Sequence, residues 1–187
     1  MAKTERLKGS DVLLEPFSDR YLTEDYVGWL NDPSVMRYSE QRHRHHSLET
    51  CKAFVASFDA SPNQLWAIVR ADTGEHIGNI TAMHDVNNCL ADIGILIGAK
   101  GVQGKGYGRD AWRTVLDYLA ARPDIFKVTG GCMTANSAMV RIMESCNMVK
   151  DGYRTAHYLL DGYPVDLVYY YIKSGNPHRD DLMPDRT

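Results

Sequence analysis

The chain has little of what would mark it for a membrane, a nucleic acid or an oxidising compartment. No apolar run among its 187 residues approaches the length that crosses a bilayer. The opening Met1-Ala2-Lys3-Thr4-Glu5-Arg6 lacks the apolar stretch of a secretory leader. Basic residues are not in excess, with 21 Lys and Arg against 24 Asp and Glu, so the formal net charge of -3 gives no general footprint for nucleic acid. Cysteine is scarce. Cys51, Cys89, Cys132 and Cys146 are scattered without C-x-x-C spacing or a nearby ligand set, which leaves no basis for a metal centre and fits reduced thiols in a cytoplasm. Cys132 and Cys146 are expected in the core. Internal repeats and low-complexity tracts are absent as well.

What is present is enough apolar content, 44% of residues, to bury one core. A single domain over residues 1–173 is expected, followed by a polar tail from Ser174 that contains two prolines and has the character of a frayed end. Periodicity gives an alternating order. Val12 to Phe17 is strand-like. Thr23 then caps a helix that ends near Asn31-Asp32-Pro33, and Ser47 opens another with Leu48, Cys51, Val55 and Phe58 on one face. Leu65 to Ala71 and His76 to Met83 form a hairpin around Asp72-Thr73-Gly74-Glu75, and Leu90 to Gly98 is a further strand. A helix from Tyr107 buries Ala111, Val115, Tyr118 and Leu119 and stops before Pro123. Phe126 to Met133 is strand-like and Asn136 to Cys146 helical. Tyr153 to Leu160 and Val165 to Ile172 pair around Asp161-Gly162.

The most informative segment lies between the Leu90–Gly98 strand and the Tyr107 helix: Gln103-Gly104-Lys105-Gly106-Tyr107-Gly108. The first turn of a helix has N–H groups without intrahelical partners and a positive dipole end, and glycines let a bulky phosphate approach the backbone. The P-loop pattern fails because Gly104-Lys105 is followed by Gly106 rather than Ser or Thr. The dinucleotide pattern fails because its third glycine would fall at Arg109, and because a long segment with strands of its own precedes the loop. The remaining pattern is Q/R-x-x-G-x-G/A, met by Gln103, Gly106 and Gly108.

That pattern resembles the pyrophosphate-binding loop of the GCN5-related N-acetyltransferases, the GNAT superfamily, and the β and α order resembles that fold over nearly the whole chain. The stretch Ala91-Asp92-Ile93-Gly94-Ile95-Leu96-Ile97-Gly98 and the ending Gly152-Tyr153-Arg154, Asp161-Gly162 and Asp166 are similar to the branch that acetylates ribosomal proteins, polyamines and amino sugars. The resemblance implies an α/β (α+β) fold whose mixed, mostly antiparallel sheet has about six or seven strands and about four flanking helices, splayed at the acetyl-CoA site. It implies acetyl-CoA as cosubstrate, with no metal. The backbone of Ile95, Leu96 and Ile97 would bind the pantetheine arm, and Gln103, Gly104, Lys105, Gly106, Tyr107 and Gly108 the pyrophosphate. Asn136 falls where the family opens a helix beside that arm, although a plain N-cap accounts for it equally. The tyrosine that many relatives use to protonate the leaving thiolate is replaced by Met143. Asn147 stands for the following glycine and tolerates the same left-handed turn. A thiolate leaves without much help, and Ser137, Ser145 or a tyrosine between Tyr153 and Tyr158 could replace the acid.

The attacking amine must lose a proton. Asp92 is the first candidate base, acting through water, with pairing to a neighbouring strand as its structural alternative. His84 has a reference pKa suited to the task, and Glu40 lies between the first two helices, where the superfamily shapes its acceptor site. Arg42-His43-Arg44-His45-His46 has no spaced partner set for zinc. It is either a solvated loop or a lid in which Arg42 and Arg44 meet an acidic or phosphate-bearing acceptor. The expected activity is therefore N-acetylation of a small primary amine by a monomer or homodimer, an amino sugar or nucleotide amino sugar being favoured. Alternatives are a protein N-terminus, a polyamine, or an acyl-CoA-binding regulatory module without turnover.

Overall fold

The computed structural model describes residues 4–174; residues 175–187, which hold nearly all of the expected tail, lie outside the described residues. One eight-stranded sheet organises the chain, in the order β1-β2-β3-β4-β5-β6-β8-β7. The strands are β1 (Leu7–Lys8), β2 (Val12–Pro16), β3 (Gln64–Arg70), β4 (His76–Asp85), β5 (Leu90–Ile97), β6 (Lys127–Met133), β7 (Val149–Leu160) and β8 (Tyr163–Lys173). Every neighbouring pair is antiparallel except β5 and β6. The strand beyond the expected number is β1, two residues too short to show any periodicity in sequence.

Among the described residues five α-helices flank the sheet: α1 (Glu24–Asn31), α2 (Pro33–Met36), α3 (Leu48–Ala56), α4 (Tyr107–Ala120) and α5 (Ser137–Ser145). Thr23 caps α1 by accepting from the Tyr26 N–H, and Asp32 caps α2 ahead of Pro33. Ser47 and Thr50 form a reciprocal capping box at α3, which satisfies two of the N–H groups a helix start leaves open. α3 ends at Ala56, so Phe58 lies beyond it, and only Cys51 of the expected apolar face is fully buried. The α5 terminus behaves as its sequence implies: Asn147 takes φ 60 and the Met148 N–H returns to the Met143 carbonyl at 3.1 Å, a left-handed exit that asparagine tolerates.

Alternation divides the two faces of the sheet. Val12, Leu14, Trp66, Ile68, Ile80 and Ile93 turn toward α4, whose Ala111, Trp112, Val115, Leu116 and Leu119 complete the main core. Cys146 joins it through α5, while Cys132 is only partly buried against it; β6 is a short strand beside a gap, and its cysteine is not covered as a core position would be. A register shift opposite Ile68 and Val69 adds one residue to β4, which turns Ile77 into the core on the α4 side and His76 to the other face. His76 then sits among Phe17, Tyr21, Tyr26 and Trp29 on the α1 side, with ring centroids 4.7–6.2 Å away. Burial pushes its pKa down to about 4, because a charged imidazole there would lose hydration without gaining a carboxylate.

Candidate active site

Strands β5 and β6 hold the site by parting from each other. Their parallel pairing covers only Leu90 with Lys127, Ala91 with Val128 and Asp92 with Thr129. Beyond Asp92, β5 runs on to Ile97 paired with β4 alone, while β6 runs on to Met133 paired with β8 alone. The facing edges of Ile93–Ile97 and Gly130–Met133 therefore carry backbone groups with no partner strand, which an inserted amide-bearing chain can satisfy. Ile95, Leu96 and Ile97 stand on this open edge.

β5 leads into the glycine loop. Val102 is buried and pins the loop to the core, and the Gln103 side chain donates to the Ala99 carbonyl at 3.0 Å, so this side chain shapes the loop from within. Gly104 has φ 76, and Gly106, the N-cap of α4, has φ 93, a region costly for any side chain. A Cβ at either position would meet nothing within 4 Å, so the space above them is open. The first α4 hydrogen bond is from Asp110 N–H to the Gly106 carbonyl. The N–H groups of Tyr107, Gly108 and Arg109 thus face outward without helical partners, and exposed Lys105 stands beside them. These residues fit a pyrophosphate. The Tyr107 ring turns away, under the Arg70 guanidinium at 5.5 Å. Asp110 was not anticipated: its carboxylate accepts from the N–H groups of Ser10, Asp11 and Val12 at 2.7–3.0 Å, tying the β1–β2 turn to the start of α4. A carboxylate in the first turn of a helix is the local signal for such a role.

Asp92 lies at the crotch, in the last pair before the strands part. Its carboxylate accepts from the Thr129 hydroxyl at 2.6 Å. Its side chain reaches solvent, yet the surrounding strands displace enough water to raise its pKa, with the Thr129 hydrogen bond opposing the shift. The exposure keeps that shift moderate. His84 is placed elsewhere. It pairs with Ala91 on the α4 face, opposite to Asp92, and its ring meets Gln64 Oε1 at 3.1 Å, in a group with Tyr118 and Arg122 that lowers its pKa through burial first and Arg122 charge second. Tyr118 is about 17 Å along α4 from the glycine loop at 1.5 Å per residue, so His84 belongs to the far end of that helix.

The opposite face of β4 and β5, under α1–α3, is hollow. A cavity of about 410 Å³ has Gly94, Ile95 and Leu96 of β5 and Asn79 and Thr81 of β4 as its floor, with Tyr26, Cys51 and Phe54 above. Asp92 precedes Gly94 by two positions on the same face, about 7 Å along the strand. Arg44, His45 and His46 line the cavity rim. Arg42 does not: it pairs with Glu40 at 2.7 Å and donates to the Leu159 carbonyl at 3.0 Å, strapping the Glu40–His43 turn to β7. Glu40 is correspondingly engaged, and neither it nor Arg42 touches the cavity. Asn136 caps α5 by accepting from the Met139 N–H at 3.2 Å. Met143 departs from the expected cofactor-facing position, since it is 0% exposed within the core; its place on α5 turns it inward to Met139 and Cys146. Among the described residues no cluster of three or more His, Cys, Asp or Glu could hold a metal ion, and no helix is long and apolar enough to cross a membrane.

A sequence profile described as the acetyltransferase (GNAT) domain matches residues 11–149, and the chain belongs to this family of acetyl-CoA-dependent N-acetyltransferases. Solved structures agree on the fold. An acetyltransferase (GNAT family) from Bacillus anthracis is 20% identical with a TM-score of 0.77, covering 91% of this chain and 99% of that one. RimL, a ribosomal L7/L12 alpha-N-protein acetyltransferase in complex with coenzyme A, is 15% identical with a TM-score of 0.79, covering 92% and 99%. A spermidine N-acetyltransferase from Vibrio cholerae, in complex with CoA and spermine, is 20% identical with a TM-score of 0.78, covering 89% and 98%. No curated protein matches the chain in sequence.

Proposed function

We propose that this enzyme acetylates the primary amine of a small molecule held in the cavity beneath α1–α3, an amino sugar or nucleotide amino sugar being the favoured class. The observation that carries this reading is the position of that cavity. Its floor is the Gly94–Leu96 segment of β5, the strand whose other edge opens away from β6. A volume of about 410 Å³ suits a compact ligand. No Asp or Glu lines it, whereas Arg44 and two histidines do, so a polycation finds nothing to neutralise it there and an anionic or hydroxyl-rich acceptor does.

Bound acetyl-CoA supplies an acyl group activated as a thioester. The chain supplies the rest. Loop N–H groups at Tyr107–Arg109 hold the phosphates, and N–H groups along the open edge of β5 offer fixed donors where negative charge grows on the acyl oxygen. Asp92 takes the amine proton through a water, its raised pKa bringing it nearer to the range useful for a base. Thr129 orients the carboxylate.

Thiol release from acetyl-CoA, measured with a nucleotide amino sugar, spermidine and a short peptide bearing a free N-terminus, tests the reading. The amino sugar is expected to turn over best, and Arg44→Ala to raise its KM while leaving acetyl-CoA affinity unchanged. Better turnover of spermidine in that variant than in wild type would reverse the acceptor assignment. Acetyl-CoA binding with no thiol release for any amine would identify a regulatory module instead.

A further inference from the structure

On the cavity floor, Asn79 is 8% exposed, and its side-chain oxygen is buried with no hydrogen-bond partner. It is the one such side-chain atom among the described residues. Rotating the amide by a half turn would not help, because neither of its polar atoms has a partner among the hydrogen bonds of the described side chains, and the turn would only exchange the unpaired groups. The position is also unusual in sequence. Asn79 interrupts Ile77-Gly78-Asn79-Ile80 on a strand flanked on both sides, where an apolar residue would pack without loss. An unpaired buried amide weakens the fold, and such groups in native structures call for an explanation.

Its neighbours point to one. Asn79 is directly opposite Leu96 in the β4–β5 ladder, and Thr81 opposite Gly94, so the amide stands about 5 Å across the ladder from the strand that edges the acyl site. The Thr81 hydroxyl is already given to the Gly94 carbonyl at 3.3 Å, which leaves Asn79 as the uncommitted polar group of the floor. An amide offers both a donor and an acceptor. An ammonium group can only donate to it, and a phosphate or carboxylate can only accept; a hydroxyl does both with a single atom.

We propose that the Asn79 amide recognises a hydroxyl on a carbon close to the reacting amine, making it a specificity-determining residue for a vicinal amino alcohol. This rests on the small-amine acetyltransferase reading given above, and it narrows that reading to a chemical class. Asn79 acts on acceptor selection alone and lies outside the acetyl-CoA loop and the Asp92–Thr129 pair.

The test uses the full-length enzyme, saturating acetyl-CoA and two matched amines, 2-aminocyclohexanol and cyclohexylamine, which share a ring and differ by the hydroxyl. Wild type is expected to favour the amino alcohol by about tenfold or more in kcat/KM, since a buried group left unpaired penalises the analogue that lacks its partner. Asn79→Leu, similar in size and apolar, should bring the ratio close to one and raise the melting temperature. Asn79→Ala serves the same comparison if the leucine variant misfolds. Equal kcat/KM for the two amines in wild type would overturn the inference, as would a variant that keeps the wild-type ratio, because a fixed water would then be serving the amide. Absence of thiol release with these and all other amines would defeat the acetyltransferase reading itself, and this inference with it.

Discussion

Replacing Asp92 with asparagine separates the chemical role of the carboxylate from its structural one. The side chains are nearly isosteric, and asparagine still offers an oxygen to the Thr129 hydroxyl that now lies 2.6 Å from the carboxylate. What disappears is proton acceptance. General-base assistance contributes about 10²–10⁴-fold, and Asp92 is two residues from the cavity floor, so it works through water and the lower end applies: a fall of about a hundredfold in kcat, close to 2.7 kcal/mol at 1.36 kcal/mol per tenfold. The affinity for acetyl-CoA should not change, because neither the loop nor the open edge of β5 is altered. The pH dependence adds an independent readout. Burial raises this carboxyl above its ordinary value, so the folded enzyme binds its proton more readily than the unfolded chain does. That stabilisation is fully present below the unfolded pKa and is lost as pH rises through the folded pKa. At neutral pH the charged carboxylate is therefore a net cost, and Asp92→Asn should melt higher than wild type there, with the gap closing as pH falls through the folded pKa. The acidic limb of the wild-type kcat profile should vanish in the variant. A variant with wild-type kcat and an unchanged acidic limb would refute the assignment of Asp92 as base.

Gly106→Val forces a β-branched residue to φ 93 at the start of α4, at a cost of roughly 1–2 kcal/mol, and places methyl groups in the open space above the loop; calorimetry should show acetyl-CoA affinity falling by far more than that stability loss would explain. Met143→Ala removes a fully buried side chain and should cost about 2–5 kcal/mol in chemical denaturation while keeping turnover, since a thioether has no proton to give. His76, with a pKa near 4 in the fold against 6.5 unfolded, contributes stability that is present above pH 6.5 and lost as pH falls toward 4, on the order of 3 kcal/mol. In denaturation midpoints measured across that window, His76→Gln should flatten the decline.

Much of the candidate site was legible in sequence where it is built from the backbone. Glycines at positions 104 and 106, the N-terminus of α4 and the left-handed Asn147 follow from local conformational rules, and so do the starts of α1, α3 and α5, because Thr23, Ser47 and Asn136 cap helices through contacts within a few residues; the short α2, capped by Asp32, was legible only as a turn. Side-chain roles that depend on which face of a strand is which were less legible. His84 and Asp92 are both near the strand ends that adjoin one hairpin, and only the β4–β5 register puts them on opposite faces. Arg42 and Arg44 differ by two positions in a turn, and only the approach of β7 makes one a strap and leaves the other on the cavity rim. Met143 is turned inward by the packing of α5.

The sequence by itself determined the conformation of the glycine loop, the family and most of the succession of strands and helices, because these depend on short-range geometry that a few residues specify. The tertiary structure alone decided where β5 and β6 part, which puts Asp92 at the apex of the gap, and what floors the cavity under α1–α3, which leaves the Asn79 side-chain oxygen unpaired there. Both are products of strand register and helix placement, set by contacts between residues far apart in the chain, and no local pattern of side chains encodes them.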